Sequence, residues 1–257
     1  MRKRKIEIHP SDFPPQIRDL LKNASVYDSS CSSDAAVYYA DSGYYIKTGT
    51  PGSLAEEAAM SRLFYSFGLG VEVMVYISSD RDYLVTREAM GEDLTHYLKD
   101  PEKLCKLLAA SLRKLHGYPI SGVPLSSRHR HYLEAARGDE QHGTHEAFVL
   151  MDRYMVASKK EAWSIMQSNK HLLKADTLIH GDACLPNIIQ SDGRFSAFID
   201  FNMAGVGDRH IDIYWAIWSL GYNLKTDAYT DLFLDLYGRD AVNEDMLRLI
   251  AAFESFG

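Results

Sequence analysis

Two short apolar runs, Ile188-Ile189-Gln190 and Phe195-Ser196-Ala197-Phe198-Ile199, meet at Ser191-Asp192-Gly193 and are bracketed by polar residues. Runs this short around an Asp-Gly turn read as strands. Whatever surrounds them must therefore accommodate a small hairpin with loops at both ends. The loop before it is His180-Gly181-Asp182-Ala183-Cys184-Leu185-Pro186-Asn187, and Asp200 follows it. Asp182, Asn187 and Asp200 thus fall at strand ends. A single loop aspartate is usually a cap or a turn residue, but three oxygen ligands in this order match what phosphoryl transfer from ATP requires. One carboxylate meets the acceptor hydroxyl and takes its proton, while an asparagine and a second aspartate hold Mg2+ on the phosphates.

The remaining composition excludes several classes. At 257 residues the chain is long enough for one large domain or two with separate cores, and 46% hydrophobic with 25% charged residues is ordinary for a globular protein. The basic start, Arg2 to Lys5, runs into Ile6-Glu7-Ile8-His9-Pro10 rather than a signal core, and no run is long enough to cross a bilayer, so a cytoplasmic protein without a membrane partner is expected. Cys31, Cys105 and Cys184 are too scattered for a metal site and read as reduced thiols. A net charge of -7 argues against nucleic acid as a partner and suits a cationic small substrate.

Residues 16–23 have the spacing of a short helix. Ser25 to Tyr39 reads as strand, polar loop, strand, and Tyr44 to Lys47 as a further strand. Ser32 and Ser33 in the polar loop have hydroxyls and N–H groups to offer phosphate oxygens. Lys47 ends its strand on the face it shares with Tyr45, from which it could reach a nucleotide. The next helix opens with a capping-box pattern, Ser53-Leu54-Ala55-Glu56. With Glu56 occupied as the cap partner, Glu57 is left to pair with Lys47. Residues 71–77 and 83–86 supply two more strands, making five in an antiparallel sheet, and Arg87-Glu88-Ala89-Met90-Gly91 reads as the connection to the second half.

From Asp100-Pro101 the period changes to helix, with an apolar stripe of Leu104, Leu107, Leu108, Leu112 and Leu115. His116 at its end reads as a packed or capping residue. Residues 119–143 read as a polar connection whose histidines, with His145 beyond, lack metal-site spacing. Ser158-Lys159-Lys160-Glu161 repeats the capping signature. Asp212 opens the helical pattern Ile213 to Trp218, either capping that helix or bracing the loop of Asp182.

On His180-Gly181-Asp182 to Asn187, Ile199-Asp200 and Gly207-Asp208-Arg209 to Asp212, the sequence resembles the aminoglycoside phosphotransferase family, in particular its 3'-kinase branch, over nearly the whole chain. The resemblance implies a two-lobed, protein-kinase-like α+β fold, with a nucleotide-binding lobe over residues 1–89 and a larger, mainly helical catalytic and substrate-binding lobe over 90–257. It implies transfer of the γ-phosphate of ATP, or of GTP, to the 3'-hydroxyl of an aminoglycoside, and with it antibiotic resistance, in a monomer or homodimer. By the same resemblance Asp182 is the catalytic base, Asn187 and Asp200 bind Mg2+, Lys47 contacts the phosphates and Glu57 holds Lys47. Ser33 matches a loop serine near the phosphates, and Arg87 to Ala89 match the linker beside adenine. Glu254 and Phe256 match a terminal acidic and aromatic segment that contacts sugar rings, with one extra glycine after it. Trp218 and Tyr222 stand where the family carries charged substrate contacts, leaving Asn223 polar, and Asn202 replaces a glycine after Asp200.

Two other functions fit parts of this pattern. A kinase for an amino alcohol or amino sugar would use Trp218 and Tyr222 as a cage for a single quaternary amine, whereas a polyamine needs several carboxylates. A non-catalytic nucleotide-binding module would have lost Asp182, Asn187, Asp200 or Lys47, and none is lost.

Overall fold

The computed structural model describes residues 4–30, 36–138, 152–154 and 156–256. Two compact units emerge: Met1–Gly91 together with Ser196–Asn202, and Glu92–Phe195 together with Met203–Gly257.

The first unit is a sheet with helices. Its strands are β1 (Arg4–Ile6), β2 (Val26–Asp28), β3 (Ala36–Ala40), β4 (Tyr44–Gly49), β5 (Val73–Ser78) and β6 (Asp82–Arg87); its helices are α1 (Pro15–Leu21) and α2 (Ala55–Ser66). Spatial order is β1-β2-β3-β4-β6-β5, every pair antiparallel. The sheet has six strands where five were expected. Its extra strand is a three-residue edge carrying Arg4 and Lys5, too short and charged to show an apolar period, and of the kind that discourages further pairing. Alternation along β4 sends Ile46 into a core with Phe13, Ile17, Tyr83 and Val85. Lys47 goes to the other face, opposite Leu84, which packs under Leu54 and Ala58 at the start of α2.

The start of α2 corrects the capping-box expectation. Ser53 Oγ donates to Thr50 O at 2.7 Å, and the helix begins at Ala55 without a side-chain cap of its own. Asp82, from β6, takes that role: it accepts from Gly52 N at 2.9 Å, Leu54 N at 2.8 Å and Tyr76 OH at 2.9 Å. Burial opposes ionisation of Asp82, but these bonds and one from Ser78 outweigh it and hold the carboxyl below its usual range.

In the second unit β7 (Glu92–Asp93) pairs with β9 (Ile188–Ser191), and β8 (Thr177–Ile179) with β11 (Gly205–Gly207), both antiparallel. The helices are α3 (Pro101–His116), α4 (Ser127–Ala135), α5 (Lys159–Asn169), α6 (Arg209–Leu224), α7 (Thr230–Tyr237) and α8 (Glu244–Glu254). Asp100 caps α3 through Lys103 N at 3.1 Å, and Ser158 caps α5 through Glu161 N at 3.1 Å. The stretch expected as a polar connection contains α4, capped by Ser126, with His129 buried inside it. Only nine residues long and mostly polar, α4 has too little apolar period to stand out in sequence. His142 and His145 lie outside the described residues. Strand β10 (Arg194–Phe198) carries the chain from the second unit into the first.

Candidate active site

In the first unit, Lys47 Nζ lies 3.0 Å from Glu57 Oε1, 2.8 Å from Glu57 Oε2 and 3.0 Å from Asp200 Oδ1. Glu57 sits one turn into α2 on the face toward β4, and its side chain is 5% exposed, against 47% for Asp200. Burial would lower the Lys47 pKa, but the charges of Asp200 and Glu57 outweigh it and raise it. Burial pushes the Glu57 carboxyl up, Lys47 pulls it down and Asp200 adds to the push, with a net rise. Asp200 is held by its neighbours: Phe198 N donates to Leu69 O at 2.8 Å, and the Phe201 ring packs on Phe64 at 4.3 Å. Its own backbone is left-handed, with φ 66°.

In the second unit the loop after β8 is held by Asp212, which is completely buried one turn into α6. Its Oδ2 accepts from His180 N at 2.8 Å and its Oδ1 from Gly181 N at 2.7 Å, while His116 Nε2 lies 3.1 Å from Oδ2. Asp208 caps α6 instead, through His210 N at 3.0 Å. Between cap and brace, Asp212 is therefore the brace. A carboxylate only accepts, so His116 donates from Nε2, and its Nδ1 lies 2.7 Å from Tyr237 OH. Gly181 has φ 79°, and a Cβ there would sit 2.1 Å from Met203 O, so only glycine fits.

Asp182 and Asn187 meet in this loop. Asn187 Nδ2 donates to Asp182 Oδ2 and to Asp182 O, each at 3.0 Å, and Asp182 N lies 3.3 Å from His180 Nδ1. The Asn187 amide is thereby oriented with its nitrogen toward Asp182. Leu185 N donates to Ser219 Oγ at 3.0 Å, securing the far end of the loop to α6. Burial, with the Asp182 charge beside it, pushes the Cys184 thiol well up, which disfavours the thiolate at neutral pH.

The residues proposed for substrate contact are more varied. Glu254, at the end of α8, is 4% exposed and engaged internally: Oε1 accepts from Tyr132 OH and from Trp215 Nε1 at 2.9 Å, and Oε2 lies 3.5 Å from Arg128 NH1. Three protein donors thus converge on Glu254, the resemblance's candidate for a ligand ammonium group. Phe256 is half-buried with its ring 5.5 Å from Trp163, and Asn223 Nδ2 donates back to Ser219 O at 2.7 Å. Tyr222 stacks on Trp218 at 5.1 Å and carries Lys225 Nζ 4.0 Å from its ring centre. A stack already holding a cation of the protein is a poor cage for a ligand's quaternary amine.

Arg87 Nε donates to Glu72 Oε2 at 2.9 Å, and its side chain is half-exposed at the end of β6; Ala89 is half-buried two residues on. Ser32, Ser33 and Cys31 lie outside the described residues. Two contributors had no sequence signal. Asp82 caps a helix 30 residues earlier in the chain, and Arg128, in the unrecognised α4, reaches the loop of Asp182 by donating from Nε to Gly181 O at 3.1 Å.

The donors suit a hard cation. Each within its own unit, Asp200 offers a carboxylate, and Asn187, with its nitrogen turned to Asp182, keeps Oδ1 as an acceptor; oxygen donors are the type Mg2+ prefers. Among the described residues no cluster of three or more His, Cys, Asp or Glu forms a metal site of another type.

A braced Asp–Asn loop in one unit and a lysine held by two carboxylates on a six-stranded sheet in the other define a phosphotransferase of kinase-like architecture. The chain belongs to the phosphotransferase enzyme family APH, whose model matches residues 33–249. It is 38% identical to a Lactococcus lactis protein named "Probable aminoglycoside 3'-phosphotransferase", covering 99% of this chain and 98% of the relative. A Niallia circulans aminoglycoside 3'-phosphotransferase is 33% identical, over 68% of this chain and 67% of its own. Among solved structures, a type VIII aminoglycoside-3'-phosphotransferase superposes with a TM-score of 0.65 at 19% identity, covering 95% of this chain and 100% of that one. A Streptomyces rimosus aminoglycoside phosphotransferase in complex with ADP and streptomycin gives 0.65 at 20% identity, covering 86% and 90%. No helix among the described residues is long and apolar enough to cross a membrane.

Proposed function

We propose that this enzyme transfers the γ-phosphate of ATP to the 3'-hydroxyl of an aminoglycoside, and so confers resistance to it. The observation that carries the chemistry is Asn187 Nδ2 3.0 Å from Asp182 Oδ2, in a loop whose backbone Asp212 holds. Asp182 is oriented to accept the acceptor hydroxyl's proton, and the turn of the Asn187 amide leaves its oxygen for Mg2+, with Asp200 as the second ligand. Held by those two side chains, Mg2+ would supply charge neutralisation to the phosphates. Lys47 contacts the phosphates, and Glu57, buried beside it, keeps the ammonium oriented and charged. Ser32 and Ser33 have hydroxyls and N–H groups to offer the phosphate oxygens, and residues 87–89 serve as the linker beside adenine. Residues 1–89 thus serve the nucleotide and 90–257 the hydroxyl acceptor, with Asn223 and Phe256 among the substrate contacts and Glu254 acting from behind them.

The choice of an aminoglycoside rests on the names of the relatives, above all the one matched from end to end, and is supported by the net charge of -7, which attracts a polycation. Nucleotide use is supported by related structures solved with ADP or AMP-PNP. The test is incubation of the purified protein with Mg-ATP and kanamycin or neomycin, followed by mass spectrometry and NMR of the product. One added phosphate on the 3'-oxygen is expected. No phosphorylation across a full aminoglycoside panel, with turnover on an amino alcohol, would replace this substrate assignment.

A further inference from the structure

Arg128 occupies an unfavourable place for a cation. It lies in the first turn of α4, where the helix dipole favours negative charge, and its side chain is only 16% exposed. What holds it there is a set of three contacts within the second unit. Nε donates to Gly181 O at 3.1 Å, NH1 reaches Glu254 Oε2 at 3.5 Å, and the guanidinium lies 5.0 Å from the centre of the Trp215 ring. Burial would discourage its charge, but Glu254 and, at longer range, Asp182 favour it.

Gly181 O belongs to the peptide plane that leads into Asp182. The N–H of that plane faces His180 Nδ1, and the N–H on the other side of Gly181 is held by Asp212. Arg128 supplies the remaining restraint, on the oxygen. Its rigid fork suits it to bridge a carbonyl and a carboxylate, which a single ammonium cannot do with the same geometry. Glu254 is fixed in turn by Tyr132 OH and Trp215 Nε1, both on Oε1, so that Oε2 faces Arg128.

We propose that Arg128 is a positioning residue for phosphoryl transfer: it clamps the Gly181–Asp182 peptide to Glu254, so that the last turn of the C-terminal helix sets the orientation of the base. The assignment rests on Asp182 being that base. Because α8 leads directly into Phe256, displacement of Glu254 by a substrate would reach the base through Arg128.

The test uses Arg128→Met, Arg128→Lys, Glu254→Gln and the Arg128→Met/Glu254→Gln double variant in the full chain. Glu254→Gln is selective: its amide oxygen at Oε1 keeps Tyr132 and Trp215, while an NH2 at Oε2 meets the Arg128 donor and breaks only that link. Arg128→Met should lower kcat about 10- to 100-fold with little change in KM for Mg-ATP, since misplacing a catalytic group costs rate rather than nucleotide binding. Arg128→Lys should fall nearer to Arg128→Met than to the parent. The double variant should be no slower than Arg128→Met, because Glu254 acts through Arg128. Hydrogen exchange at the amides of residues 180–182 should quicken about tenfold in Arg128→Met and Glu254→Gln, with α3 unchanged. Parent-like kcat in Arg128→Met, additive losses in the double variant, or unchanged loop exchange would each overturn the clamp. If Arg128→Met does not fold, Glu254→Gln decides through exchange. If the parent phosphorylates no aminoglycoside, the substrate assignment fails, and the exchange measurement still decides the clamp.

Discussion

Replacing Lys47 with methionine removes the cation that lies within 3.0 Å of both Glu57 and Asp200 while keeping a chain of similar length on β4. The two carboxylates do not suffer equally. Asp200, nearly half-exposed, is rehydrated and loses little, whereas Glu57, 5% exposed, is left as an uncompensated buried charge. Stranding one partner of a buried pair costs about 3–5 kcal/mol, a large fraction of the ~5–15 kcal/mol typical of a folded domain. Glu57→Gln should cost less, about 1–2 kcal/mol, because Lys47 keeps Asp200 and loses one charge-assisted bond. The Lys47→Met/Glu57→Gln double variant should then be more stable than Lys47→Met alone by about 2 kcal/mol, since neither charge is left buried and unpaired. Urea unfolding followed by circular dichroism measures all three. The pH dependence carries a definite sign. The folded pKa of Glu57 already lies above 4.5 and rises further without Lys47, so the Lys47→Met deficit is full at neutral pH. It shrinks as pH falls through that raised value and vanishes below 4.5, where the carboxyl is protonated in both states. A Lys47→Met loss below about 1 kcal/mol, or strict additivity in the double variant, would refute the account of Glu57 as a charge held in place by Lys47.

Asp182→Asn should lower kcat by about two to four orders of magnitude while leaving ATP binding measurable by calorimetry, because only the proton acceptor is lost. Asp212→Ala leaves His180 N and Gly181 N without their acceptor in a closed interior, and should cost about 3–5 kcal/mol in denaturant unfolding. Asp82→Ala should cost about 2–4 kcal/mol at pH 7 by losing two backbone bonds at the start of α2. Since the folded pKa of Asp82 lies below 3.8, its contribution is present above that value and fades as pH falls through the lower folded value, so parent and variant converge in acid.

The elements with strong local signals were readable without the fold. The apolar stripe of α3 with its Asp100-Pro101 start, the Ser158 cap of α5 and the hairpin of β9 and β10 all follow from residues close together in the chain. Edges and exceptions were harder. A sixth strand of three residues and the short polar α4 carry almost no periodicity, because so little of each is buried apolar surface. At the start of α2 the local pattern was misleading: Ser53 and Glu56 fit a capping box, but Asp82 reaches in from the adjacent strand and accepts from Gly52 N and Leu54 N.

By itself the sequence pointed to phosphoryl transfer, because Asp182, Asn187, Asp200 and Lys47 have the side chains that chemistry uses and their order along the chain is readable. It also determined which face of β4 Lys47 takes, since alternation opposite Ile46 leaves no other. Only the tertiary structure decided how these groups are held. Asp212 braces the loop rather than capping its helix, Glu254 faces inward to three donors, and Arg128 joins α4 to Gly181. Each of those choices pairs residues 31 to 126 positions apart. Which donor reaches a given acceptor across such distances depends on how helices pack, and local propensity does not encode it.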